Sequence, residues 1–136
     1  MSPKSILIVD DNGSFLTASV EFFSNEMGIN LVTWADSPQD AVKKFFEFSP
    51  ELVILDIGMN TLKGQDLTVW FKNQVNSPKI MITSFDDNED YRNYAKGIGA
   101  DGFIKKVNYR AAYPELIRHL NKSLKKINRE NNYLLN

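Results

Sequence analysis

The sequence has no cysteine and a single histidine, His119. Disulfide bonds, thiolate catalysis and zinc sites built on cysteine are therefore excluded. The sequence also lacks an excess of either charge, since 17 acidic and 16 basic side chains give a formal charge of −1. Without a basic surplus there is no general attraction to nucleic acid or to an anionic membrane, so we expect no direct nucleic-acid binding.

Long hydrophobic runs are missing from the N-terminal segment as well. Its apolar run at residues 6–9 is followed at once by two aspartates. A run of this length is too short for the core of a signal peptide and far too short to cross a bilayer. We therefore expect a cytoplasmic protein that makes no membrane contact.

The composition is that of one compact globular domain: 136 residues, of which 43% are hydrophobic and 24% charged. Short apolar runs rich in β-branched residues alternate with stretches of helical periodicity, which predicts βα units. We expect strands at residues 6–9, 29–33, 52–55, 79–82 and 103–104, and helices at about 14–27, 38–48, 64–74, 89–98 and from 114 onward. Five such units favour an open, doubly wound parallel sheet with helices on both faces, because a barrel of eight units needs roughly 200 residues or more.

Polar residues follow directly on four of these strands. They are Asp10 and Asp11 after the first strand, Asp56 after the third, Thr83 after the fourth, and Lys105 and Lys106 after the fifth. Because ligands bind beyond the carboxyl ends of parallel strands, we expect these side chains to meet at one edge of the sheet. Three carboxylates in a small space need a cation, and hard oxygen ligands suit Mg²⁺ or Mn²⁺.

A carboxylate in this setting can also act as a nucleophile toward phosphorus. Asp56 is the best placed because it ends the central buried strand, while a lysine ammonium and the Thr83 hydroxyl can take the oxygens of an incoming phosphoryl group. Each residue taken alone has a plainer explanation, as a turn aspartate, a loop-capping hydroxyl or a solvated lysine. Their coincidence at one edge favours the chemical explanation.

Four segments resemble the receiver domains of two-component response regulators, over about residues 4–125. ILIVDDN at 6–12 looks like the first strand and acidic pair of that family, and PELVILDIGM at 50–59 looks like the strand that carries the phosphorylated aspartate. PKIMITS at 78–84 looks like the strand that ends in the switch hydroxyl, and GADGFIKK at 99–106 looks like the approach to the family's lysine. The resemblance implies the strand order 2-1-3-4-5, a receiver domain at 1–125 and a C-terminal helical extension or tail at 126–136.

The resemblance also implies individual roles around the phosphoacceptor, which is expected to be Asp56. The expected metal ligands are Asp11, Asp56, the Gly58 carbonyl and, largely through water, Asp10. Thr83 would bind the phosphoryl group and move toward it, and Phe103 is the aromatic residue that would then pack inward. These movements would change the surface around the fourth helix and fifth strand.

The family's lysine falls on one of two residues here. Counting from Gly99 points to Lys106, whereas counting from Thr83 points to Lys105. We favour Lys106, because the loop after Thr83 absorbs an extra residue more easily than a strand does.

Three positions depart from the usual family pattern. Asn60 stands where proline is usual, and we expect it to loosen the loop after Asp56 without removing a ligand. Val107 stands where proline usually follows the lysine, so the final loop is expected to differ in shape. Phe85 is large and apolar, and we expect it to slow the loss of a phosphoryl group by restricting water.

The implied function is a phosphorylation-activated switch. A sensor histidine kinase or a phosphotransfer protein would phosphorylate Asp56, and the altered surface would engage a downstream effector or output domain, with a homodimer as a further family-level expectation. The protein would catalyse only its own phosphorylation and dephosphorylation. The alternative is a phosphorylation-independent interaction module, which has no physical reason to keep three carboxylates together. A hydrolase would need a second acid two residues past Asp56, where Gly58 stands.

Overall fold

The computed structural model describes residues 4–26, 28–62, 64–86 and 88–106. In chain order the elements are β1 (Ser5–Val9), α1 (Gly13–Ser24), β2 (Leu31–Ala35), α2 (Pro38–Phe48), β3 (Leu52–Asp56), a 3₁₀ turn (Ile57–Met59), β4 (Thr61–Leu62), β5 (Gln65–Asp66), α3 (Leu67–Lys72), β6 (Lys79–Ser84), α4 (Glu89–Gly97) and β7 (Gly102–Lys105). The helix predicted from residue 114 and the loop at Val107 lie outside the described residues.

Five of the strands form one parallel sheet in the order β2-β1-β3-β6-β7. Numbered among themselves these strands have the order 2-1-3-4-5, which confirms the predicted α/β, doubly wound fold. The strands β4 and β5 make a separate two-stranded antiparallel hairpin.

The sheet has a hydrophobic cluster on each face because successive strand residues point to opposite sides. On one face α2, α3 and α4 cover alternate strand residues, and on the other face α1 packs with Phe15, Leu16 and Phe23. Nearly all of β1, β3 and β6 is inaccessible to solvent, as the unbroken apolar run at 52–55 predicts for a strand buried on both sides.

Side-chain caps begin three of the described helices, α1, α2 and α4. The Asn12 side chain accepts a hydrogen bond from the Phe15 amide at 2.9 Å and starts α1. Ser37 accepts from the Asp40 amide, and Pro38 occupies the first turn of α2, so this helix spans the predicted residues.

Two predicted boundaries are wrong for reasons of pairing. The second strand starts at Leu31 instead of residue 29, because it pairs with β1 from Ser5 opposite Leu31 onward. The third helix starts at Leu67 instead of residue 64, because the hairpin comes first and Gly64 takes a positive φ of 80° there.

Among the described residues, no helix has the length and apolar character that a membrane span requires.

Candidate functional site

Three carboxylates meet at the carboxyl edge of the central strands. Asp10 follows β1, Asp56 ends the neighbouring β3, and Asp11 comes next after Asp10. Each of the three offers one carboxylate oxygen, and these oxygens all lie within 4.8 Å of one another. Together with Thr83 and Lys106 we call this group the acidic pocket.

Lys106 is the cation of the acidic pocket. Its Nζ lies 2.6 Å from Asp10 Oδ2 and 2.8 Å from Asp56 Oδ1, and the residue is only 4% exposed. The rings of Phe15 and Phe85 flank the same ammonium, with centroids at 4.7 and 4.6 Å. The lysine is thus desolvated and aimed at the carboxylates from a fixed position.

Lys105, the second candidate, is the last residue of β7. It pairs with Ser84 along the sheet and is half-buried. The two lysines therefore occupy different surroundings, and Lys106 is the one that contacts Asp10 and Asp56.

Asp10 is fully buried, and its Oδ1 accepts a hydrogen bond from the Asn12 amide at 2.9 Å. Burial raises the pKa of Asp10 above its ordinary value, while the hydrogen bonds from Lys106 and Asn12 act in the opposite direction. The negative charge of Asp56 adds to the increase in the pKa. The pocket therefore holds a carboxylate whose ionised form is disfavoured by burial and by the neighbouring Asp56 charge.

The Asp56 side chain caps the turn that follows it. Its Oδ2 accepts a hydrogen bond from the Gly58 amide at 3.0 Å, while Oδ1 faces Lys106. A Cβ at position 58 would lie 2.9 Å from Asp56 Oδ2, closer than ordinary contact allows. Glycine at this position therefore permits the backbone to approach the carboxylate.

Thr83 lies directly opposite Asp56 in the β3–β6 register. It is fully buried, and its Oγ1 has no hydrogen-bond partner among the described residues. The neighbouring Ser84 differs, because its Oγ accepts from the Asp86 amide at 3.1 Å. Loop capping thus explains Ser84, whereas the Thr83 hydroxyl is left with unused hydrogen-bonding capacity, which is costly in a buried site.

Phe103 lies on β7, half-buried against the cluster that α2, α3 and α4 cover. The guanidinium of Arg92 on α4 lies 5.0 Å from the centroid of its ring. The predicted aromatic residue of the switch is therefore in contact with α4.

The residues of the acidic pocket fit a small divalent cation. If all three carboxylates are ionised, one ammonium leaves a net charge of −2 among oxygen ligands. Hard oxygen donors and this charge suit Mg²⁺, which is usually held by one or two carboxylates and several waters.

Three contacts around the pocket have only weak signals in the sequence. Phe15 packs in the core beneath α1, yet it also flanks Lys106, a contact that no sequence pattern indicates. Asn60 was expected to loosen the loop after Asp56, but it is 1% exposed and its side chain is hydrogen-bonded to Thr68 and Tyr94, so that expectation is wrong. The departure from proline was the one signal at Asn60, and nothing in the sequence singled out Tyr94.

The fold and this pocket define the class: a doubly wound α/β domain with an acidic, lysine-paired site at the carboxyl edge of its sheet. The sequence profile of the response regulator receiver domain matches residues 6–118. The chain belongs to the response regulator receiver domain family, and the expected identification is confirmed.

Individual relatives agree with this assignment. The chain is 31% identical over 118 residues to the response regulator protein VraR of Staphylococcus saprophyticus, a match that covers 85% of this chain and 56% of that protein. This chain therefore spans about half the length of the curated relatives it matches.

Solved structures show the same fold at lower identity. The non-phosphorylated receiver domain of the stress response regulator RcsB from Escherichia coli superimposes with a TM-score of 0.79 at 17% identity, over 89% of this chain and 95% of that one. RcsB from Salmonella enterica serovar Typhimurium, bound to promoter rprA in the presence of phosphomimetic BeF3-, gives a TM-score of 0.77 at 18% identity, over 93% of this chain and 67% of that one.

Proposed function

We propose that this receiver domain is a phosphorylation-activated switch that accepts a phosphoryl group on Asp56 in a Mg²⁺-dependent reaction. The observation that carries the proposal is the position of the Asp56 carboxylate, 2.8 Å from the Lys106 ammonium and among the oxygens of Asp10 and Asp11. A carboxylate so placed is held beside the positive charge that an incoming phosphate needs.

The chemistry forms one bond and breaks one. A carboxylate oxygen of Asp56 attacks phosphorus, the bond from phosphorus to the donor atom breaks, and an acylphosphate results. Lys106 and the Thr83 hydroxyl, which has no other partner among the described residues, are the groups proposed to bind the transferred oxygens. The return reaction is attack by water, so the protein catalyses only its own phosphorylation and dephosphorylation.

The cation would be held by Asp11, Asp56 and the Gly58 carbonyl, with Asp10 acting largely through water. When bound, it offsets repulsion between the carboxylates and an incoming phosphate dianion. In its absence Lys106 alone pairs with both Asp10 and Asp56.

The proposed donor is a sensor histidine kinase or a phosphotransfer protein in the cytoplasm. The proposed recipient of the signal is a downstream effector or an output domain. Thr83 would move toward the phosphoryl group and Phe103 would pack inward, which would change the surface around α4 and β7. RcsB has been solved bound to a promoter. In this chain we assign residues 1–125 to the receiver and 126–136 to a helical extension or tail, with a homodimer as a family-level expectation.

Intact mass after treatment with acetyl phosphate and Mg²⁺ tests the proposal. We expect a gain of one phosphoryl group in the wild type and in Asp101→Asn, whose carboxylate lies away from the pocket, and no gain in Asp56→Asn. A wild type that gains nothing would favour the phosphorylation-independent module instead. Release of phosphate without any labelled protein would favour a hydrolase.

A further inference from the structure

The 3₁₀ turn Ile57–Met59 is held at both ends by hydrogen bonds. At its start the Asp56 side chain accepts through Oδ2 from the Gly58 backbone amide at 3.0 Å, and at its end the Asn60 backbone amide donates to the Ile57 carbonyl at 3.3 Å. Asp56 and Asn60 therefore fix opposite ends of one rigid piece of backbone, which also carries the Gly58 carbonyl.

Asn60 joins this turn to two helices. Its Oδ1 accepts from both the amide and the hydroxyl of Thr68, each at 2.8 Å, and its carbonyl accepts from the Leu67 amide at 3.1 Å. Its Nδ2 donates to the Tyr94 hydroxyl on α4 at 3.0 Å. The side chain is buried with both ends bonded, so it cannot move without breaking hydrogen bonds to α3 or α4.

The Tyr94 hydroxyl acts as both acceptor and donor of a hydrogen bond in this network. It accepts from Asn60 and donates to the Asp66 carboxylate, which directly precedes α3. Burial and the Asp66 carboxylate raise the pKa of Tyr94, so the hydroxyl keeps its proton at neutral pH. Tyr94 thus closes a bridge from the turn, through Asn60, to α4 and back to the start of α3.

We propose that Asn60 and Tyr94 are positioning residues for the phosphorylation of Asp56, and that their hydrogen bond couples the turn at Asp56 to α4. The inference rests on the proposed function and concerns two residues that do not touch the phosphoryl group. An acylphosphate at Asp56 no longer offers the Gly58 amide the same ionised acceptor, so the first end of the turn has to readjust. Because Asn60 fixes the other end of the turn, this readjustment should alter the hydrogen bond between the Asn60 side chain and the Tyr94 hydroxyl.

The coupling also works in the opposite direction, because linkage between two sites is reciprocal. Loosening Tyr94 should leave the turn, and with it the Gly58 carbonyl, less well placed for the cation. The signature is a higher Mg²⁺ requirement for labelling in a variant that remains folded.

The experiment measures labelling by acetyl phosphate as a function of Mg²⁺ concentration, together with the urea midpoint, in the wild type, Tyr94→Phe and Tyr91→Phe. Tyr91 is the matched control, since it lies on the same helix and is 39% exposed, against 40% for Tyr94. We expect Tyr94→Phe to raise the Mg²⁺ concentration for half-maximal labelling about fivefold, the effect of one net hydrogen bond, while its urea transition shows that the variant is fully folded under the labelling conditions. Tyr91→Phe should match the wild type in both.

A double variant separates coupling from two independent effects. If Asn60 acts through Tyr94, Asn60→Ala with Tyr94→Phe should need no more Mg²⁺ than Asn60→Ala alone. Additive effects, or a Tyr94→Phe variant that labels like Tyr91→Phe, overturn the inference while the proposed function stands. A wild type that acquires no phosphoryl group overturns the proposed function itself, and the inference with it.

Discussion

Two clusters of charged side chains lie at opposite ends of the same sheet, and their excess charges have opposite signs. At the amino edge Asp101 is paired with two lysines, Lys72 and Lys79, in a group we call the amino-edge cluster. At the carboxyl edge the acidic pocket has a single described lysine, Lys106, for its three carboxylates. The first cluster has a surplus of cations and the second a surplus of anions.

The clusters also differ in how completely their groups are bonded. Asp101 Oδ2 accepts from Lys72 and from the Ile80 amide, and its own amide donates to the Ile80 carbonyl, so it ties β6 to the start of β7. The acidic pocket instead contains a carboxylate with a raised pKa and the hydroxyl of Thr83, which has no hydrogen-bond partner in the part of the chain that the structure describes. A cluster whose carboxylate is fully bonded to its neighbours stabilises a fold, whereas one with an excess of buried negative charge and a free hydrogen-bonding group is prepared to bind something else.

Removing the lysine from each cluster should give the largest contrast. Lys106→Met strands the buried Asp10 carboxylate, so we expect a loss of about 3 kcal/mol in the free energy of unfolding. Lys72→Met should cost at most about 1 kcal/mol, because that pair is partly exposed and Lys79 remains. Urea denaturation without Mg²⁺ measures both.

Lys105→Met is the control for this pair of variants. It should unfold like the wild type and still acquire a phosphoryl group, because Lys106 keeps its contacts with the pocket. If Lys105→Met were the damaging variant, the assignment of the pocket lysine would be reversed.

Removing a carboxylate from each cluster should change stability in opposite directions. Without Mg²⁺, Asp10→Asn should raise the free energy of unfolding by about 1 kcal/mol, because it relieves the burial of an anion beside other anions. Asp101→Asn should lower it by about 1 kcal/mol, because it removes a partner from two lysines and weakens a backbone tie. Two variants that shift stability in the same direction would contradict the contrast.

The raised pKa of Asp10 predicts a pH dependence with a definite sign. Above the ordinary carboxyl value of 3.8 the unfolded chain loses this proton before the folded chain does, so the folded state binds more protons in that window. The Asp10 contribution to stability therefore falls as pH rises through the folded pKa. Thermal melts across this pH range should show that stability falls more steeply with rising pH in the wild type than in Asp10→Asn. Mg²⁺ should reduce this difference between the two proteins.

The smallest expected effect concerns Phe85, whose ring lies beside the Lys106 ammonium. The Phe85 ring is 54% exposed and its centroid lies 4.6 Å from the Lys106 ammonium, and we expect it to restrict access of water to Asp56. We expect Phe85→Ala to shorten the lifetime of the radiolabelled acylphosphate a few-fold. Phe46→Ala, which removes a ring that is 67% exposed on α2, should leave the lifetime unchanged. A wild-type lifetime of seconds would argue against the shielding role.

The sheet was largely predictable because its strands are buried apolar runs and its helices have clear starts. The run at 52–55 and the Ser37–Pro38 start gave boundaries within one residue of β3 and the same first residue as α2. The β4–β5 hairpin was not predictable, because two-residue strands carry no periodicity and Gly64 suits a helix stop and a turn equally well. Pairing with β1, which no local pattern records, set the limits of β2.

The pocket was predictable to the level of residue types at strand ends, but its contacts were not. Counting along the chain pointed to Lys105 from one side and to Lys106 from the other, and Lys106 was favoured only on an argument about loop length. The path of the backbone after β7 is what brings Lys106 to Asp10 and Asp56. The role of Asn60 was missed because its bonds to Thr68 and Tyr94 span 8 and 34 residues of sequence. Such networks depend on how helices dock, which sequence periodicity describes only coarsely.

Titration of Mg²⁺ into the metal-free protein tests the central claim most directly, since that claim is electrostatic. Calorimetry should show one saturable site in the wild type, the same site in Asp101→Asn, and affinity weaker by about tenfold or more in Asp11→Asn, which removes a carboxylate proposed as a ligand without touching the Lys106 ion pairs. A wild type that binds no Mg²⁺, or an Asp11→Asn variant that binds it as tightly, would contradict the account.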